Sequence, residues 1–186
     1  MAGASGVRHG RCRLSGVDIE LQPPAGFTGM VLGRSEEETV RAAERFGPVS
    51  VSRGALVQVA GEPFLIPTKM VAGGPEFNFA LTLDGSGNAD TAELWRPPDP
   101  GHAVTVTFEG IDVFRTPWSK LLAELESRGH RIVRQVGDTF AYAPDLTLGF
   151  SRDAAHEVPV DEDGLPLYFE SVLVAAAGYY DGPFEP

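Results

Sequence analysis

The chain has 186 residues, 42% of them apolar and 22% charged, and a formal net charge of -11. That length and balance fit a folded body with a substantial core, and they exclude a fibrous or wholly disordered chain. No run approaches the ~18 apolar residues of a membrane span, and an acidic surface opposes nucleic acid and anionic lipid, so the expectation is a cytoplasmic protein bound to neither nucleic acid nor membrane.

Met1–Gly16 lacks the apolar core of a secretory signal and carries Arg8, Arg11 and Arg13 with no acid, which reads as a flexible basic arm. The rest of the chain then holds 12 basic against 26 acidic residues. Cys12 is the single cysteine, so no internal disulfide forms, and it has no neighbouring Cys or His at zinc-ligand spacing. Val17, Ile19 and Leu21 alternate with Asp18 and Glu20 as a strand with one buried face. A helix follows at Ser35, where Ser35 and Glu38 form the pattern of a capping box, Glu36 and Glu37 favour the positive end of the dipole, and Gly47-Pro48 stop it. Ala55–Ala60 and Phe77–Leu83 read as further strands.

Leu83 leads into DGSGNAD, Asp84–Asp90, where oxygen-bearing side chains recur at alternate positions. A helix-loop-helix calcium loop needs Gly at position 6 and Glu at position 12. Those positions, counted from Asp84, hold Ala89 and Trp95, so the reading is a β-hairpin loop rich in turn formers. Thr91–Arg96 is the returning strand, and the RPPDPG stretch at 96–101 reads as a hinge. Val104, Val106 and Phe108 alternate as another strand. Thr116 as cap and Pro117 at the first helical position open a second helix, with Trp118, Leu121, Leu122 and Leu125 as its apolar stripe and Gly129 as its stop. His130, just past that stop, suits capping of the negative helix end. Strands are expected at Arg131–Val136, Thr139–Ala143, Leu146–Phe150 and Leu167–Ala176.

FTGMVLGRS, Phe27–Ser35, aligns with FEGIDVFRT, Phe108–Thr116, at an offset of 81, and both lead into a helix. The expected fold is α+β: two tandem β-α-β-β(-β) repeats, roughly 17–96 and 102–186 joined by the hinge 96–101, forming one antiparallel sheet with two helices on one face and the other face partly open. In layout this is similar to duplicated α/β inhibitor proteins that grip a partner with a concave sheet.

No serine lies in a GxSxG elbow, and His9, His102, His130 and His156 form neither HxH nor HExxH. No cofactor or metal is expected, and the pattern points away from catalysis. The C-terminal part is the most acidic: Asp153–Pro186 has eight acids and neither Lys nor Arg. Asp161, Glu162 and Asp163 would steer a basic protein, and Tyr179 and Tyr180 would anchor the contact. The expectation is a non-catalytic binding module, most concretely an immunity-type inhibitor of a basic toxin. The alternatives are a small enzyme or ligand-binding protein with His156 and Glu157 in a pocket, and a subunit of a larger assembly. An exposed sheet edge would offer a route to a homo-oligomer.

Overall fold

The computed structural model describes residues 16–59, 61–99, 101, 103–135, 137–153 and 158–181. The first half runs β1 (Val17–Gln22), β2 (Gly26–Phe27), β3 (Met30–Val31), α1 (Glu36–Ala43), β4 (Val49–Ser52), β5 (Ala55–Val59), β6 (Glu62–Ile66), β7 (Lys69–Gly73), β8 (Asn78–Leu83) and β9 (Ala89–Trp95). The second half runs β10 (Val104–Phe108), β11 (Ile111–Asp112), α2 (Trp118–Ser127), β12 (Val133–Arg134), β13 (Phe140–Ala143), a 3-10 turn at Pro144–Leu146, β14 (Leu148–Ser151) and β15 (Ser171–Ala175). The fold is mixed α+β and mostly sheet. All but Gly16 of the predicted basic arm lies outside the described residues.

The single antiparallel sheet expected from the sequence is corrected. The strands form an eight-stranded sheet in the order β12-β13-β14-β15-β9-β8-β7-β4, a five-stranded sheet β11-β10-β1-β2-β3, and a separate pair β5-β6. The first of these is antiparallel throughout, whereas β1 runs parallel to β10, with Ile19 opposite Val106. Alternation of apolar and polar residues reports which face of a strand is buried. It carries no information on the direction of the neighbour, and this is why the parallel pair escaped the pattern.

Two rows of side chains cross the large sheet on one face. Ala141, Phe150, Val172, Leu94, Phe79 and Ala72 stand opposite one another strand by strand, and Ala143, Leu148, Val174, Ala92, Leu81 and Met70 form the next row. All twelve are buried, together with Ile19, Phe27, Val104 and Val106 of the small sheet, Ala43 of α1, and Leu121, Leu122 and Leu125 of α2. This one cluster draws on residues from both sides of the 96–101 stretch. Phe27, Phe46 and Phe79 meet edge to face at centroid distances of 5.1–5.8 Å and tie the small sheet to the large one. Burial of each such side chain contributes about 1.5–3 kcal/mol.

The capping box of α1 forms as predicted: the Glu38 N–H donates to the Ser35 hydroxyl, and the Ser35 N–H and hydroxyl donate to the Glu38 carboxylate at 3.3 and 3.0 Å. These bonds hold the Glu38 carboxyl below its ordinary range. The second helix begins one residue later than its sequence suggests, with Pro117 as N-cap and no side-chain cap from Thr116. Its C-terminus is a Schellman turn. Gly129, at φ +94°, donates to the Glu126 carbonyl and His130 to the Leu125 carbonyl. The His130 ring then sits between Glu109 and Asp145, at 3.4 and 3.3 Å.

DGSGNAD is a hairpin loop between β8 and β9, in which Asp84 Oδ1 accepts from the N–H groups of Ser86 and Asn88 at 2.8 and 2.9 Å. The predicted strand at Arg131–Val136 shrinks to two residues, and the one at Leu167–Ala176 to five. Strands β4, β6 and β7 were not anticipated.

Candidate functional site

The face of the large sheet turned away from the core carries the row Val133, Tyr142, Gly149, Leu173, Glu93, Ala80, Val71 and Ser50. No helix is needed to bury these residues at the β4-β7 end, where Ser50, Lys69 and Val71 are exposed. Lys69 extends to within 5.5 Å of the Trp95 ring centroid on this face. The β14 end is closed by the chain after β15, which turns at Ala176–Tyr180 and lays Tyr180 over Gly149. A Cβ on Gly149 would stand 2.6 Å from the Tyr180 hydroxyl, so the missing side chain is the seat of that ring. Tyr180 stacks on Tyr142 at 5.1 Å and meets Tyr179 edge-on at 5.1 Å.

Tyr180 is buried, while Tyr179 is 37% exposed. Burial, and then the charges of Asp90 and Glu93, push the Tyr179 hydroxyl above its ordinary range. Burial also holds the Tyr180 hydroxyl well above it. Asp90 sits at the irregularity in the β8-β9 register, where its carboxyl is raised by burial and by the charge of Asp84. Half-exposed tyrosine beside acids of β9 makes this face aromatic and acidic. Asp90 and Glu93 lie far from Tyr179 in sequence, and only the antiparallel β9-β15 pairing brings them together.

The acidic run has a different setting. Asp161 Oδ1 accepts from the N–H groups of Asp163 and Leu165, both at 3.0 Å, closing the turn that carries Glu162 and Asp163 outward. Its other oxygen accepts from Trp118 Nε1 at 3.2 Å and from the Arg152 guanidinium. Arg152 is buried, lies 4.1 Å from the Trp118 ring centroid, and donates to the carbonyls of Pro166 and Asp138 at 2.8 and 3.2 Å. Burial pushes the Asp161 carboxyl up, but the hydrogen bonds from Arg152, Leu165 and Trp118 outweigh it and hold the group below its ordinary range. The carboxylate of Asp161 is thus committed to the fold, while Glu162 and Asp163 are exposed. Trp118 belongs to the helix layer and Gly149 to the outer face, so the tyrosines and the acidic turn are not gathered into one patch.

His156 and Glu157 lie outside the described residues. Among the described residues no group of three or more His, Cys, Asp or Glu side chains is gathered to hold a metal ion. The crevice lined by Phe108, Ile111, Val113, Leu121, Leu125 and Phe150 is purely apolar and offers no group for chemistry. No helix among the described residues is long and apolar enough to cross a membrane. No family model, curated protein or solved structure matches the chain.

Proposed function

We propose that the chain is a non-catalytic protein-binding module that receives a basic protein on the outer face of its large sheet, most concretely as an immunity-type inhibitor. The observation that carries this reading is Tyr179, partly exposed and within the electrostatic reach of Asp90 and Glu93, beside the sheet face turned away from the core. A rigid aromatic flanked by acids suits a contact with Arg or Lys, and the packed Tyr142-Tyr180 stack beneath it fixes its position. Glu162 and Asp163, on their braced turn, add to the long-range field and speed encounter.

The test is retention of proteins from the source lysate by the purified chain at low and high salt, identified by mass spectrometry. The expected result is a basic protein held in stoichiometric amount at low salt, released at high salt, and lost with Tyr179→Ala or Glu93→Lys. Retention indifferent to salt and to both substitutions would sink the reading.

We also infer that the two halves are tandem units of one design. The order of the large sheet reads the same from both ends, with β9 and β15 at the centre. At an offset of 81, the β2-β3 pair Phe27 and Met30 corresponds to the β10-β11 pair Phe108 and Ile111, each spanning a two-residue turn that ends in a glycine of positive φ, Gly29 or Gly110. Phe79 and Phe150 occupy matching places in the buried row, as do Ala72 and Ala141.

A further inference from the structure

We propose that the β5-β6 arm is a self-association element through which two copies of the chain join, β5 to β5, about a two-fold axis. The arm interrupts the β4-β7 pair and belongs to neither sheet. Its base is closed by the Gly54 N–H donating to the Thr68 hydroxyl at 3.0 Å and by the ion pair of Arg53 with Glu36. Beyond that base it stands in solvent with apolar side chains on both faces: Val57, Phe64 and Ile66 on one, Leu56 and Leu65 on the other. Leu56 is 72% exposed, Phe64 56% and Leu65 55%. A lone two-stranded pair is marginal in water, and exposed apolar clusters of this kind mark contact surfaces.

Charge selects the occupant. Between Gly54 and Thr68 the sequence holds one charged residue, Glu62, in a chain of net charge -11. A basic protein gains nothing by docking on a neutral arm. Two copies of this chain, each of net charge -11, repel one another overall, and the nearly uncharged arm is where they can approach at least cost. The two edges of the arm differ as well. The β6 edge carries Pro63, which has no N–H to donate, and Glu62, both of which discourage strand addition. The β5 strand, Ala55–Val59, has neither proline nor charge and pairs only with β6 among the described residues. Joining β5 to β5 with Val57 near the axis gives a four-stranded sheet whose outer edges are both the protected β6, so association stops at two. One five-residue strand per copy is a small contact, which makes the dimer weak and concentration-dependent.

Sedimentation velocity of the full chain, from about 1 to about 500 μM, tests this. The expected result is a monomer-dimer equilibrium that tightens as salt is added, because salt screens the repulsion between two acidic bodies. This is opposite in sign to the response expected of a basic partner, so the arm and the tyrosine face fail separately. Val57→Lys should abolish the dimer and Pro63→Lys should leave it. In a Cys12→Ser background, oxidised Val57→Cys should give a covalent dimer and Pro63→Cys should not. A monomer across the whole range, a dimer that survives Val57→Lys, or equal cross-linking at both positions would overturn the proposal.

Discussion

Asp161 and Asp90 respond to protons in opposite directions. Asp161 titrates lower in the folded than in the unfolded chain, so its stabilising contribution is complete above the ordinary carboxylate range and is lost as pH falls through the folded value. Asp161→Asn should therefore flatten the acid limb of stability against pH, measured by urea midpoints between about pH 2 and 7. Asp90 titrates higher when folded, because burial and then Asp84 disfavour its charge. Its contribution is present at low pH and fades as pH rises through the folded value, so Asp90→Asn should raise the midpoint at pH 7 and leave it nearly unchanged at about pH 3. The sequence marked the run 161–163 as acidic, but not that its first member is held by Arg152 and by Trp118, a residue 43 positions away. Such contacts have no local pattern. Tyr179 and Tyr180 were legible as aromatic residues among acids, whereas Glu93 and Asp90 came within reach of Tyr179 only through strand pairing.

The two helices look alike in sequence and begin differently. Ser35 is a working cap and Thr116 is not, so Ser35→Ala should cost about 1 kcal/mol of unfolding free energy while Thr116→Ala stays near neutral. Leu122, fully buried in the stripe of α2, should cost about 2–5 kcal/mol when changed to Ala, read from chemical denaturation. Caps, stripes and glycine stops are short-range chemistry, and they made both helices legible. Strands were legible where one face is buried, as in β1, β8 and β10. The sequence hid β6, whose five residues are all exposed and which keeps no alternation to read.

Over the whole molecule, net charge sets the sign of every association. Encounter of a basic partner with the tyrosine face should slow on the order of tenfold or more as salt is raised through the physiological range, measured as the association rate by stopped flow. The α+β class could be read from the chain, but the division into separate sheets could not, because it depends on which strands meet across long separations. The large sheet is joined at its centre by β9 and β15, with Trp95 opposite Ser171, and the small one by β1 and β10. This central seam governs how the chain leaves the ribosome. When β9 has emerged, its partner lies 76 residues downstream. At about 5–20 residues per second the wait lasts about 4–15 s. Until β15 follows, that edge of β9 lacks its partner, and Asp90 and Glu93 put charge on the strand, which discourages pairing with another chain.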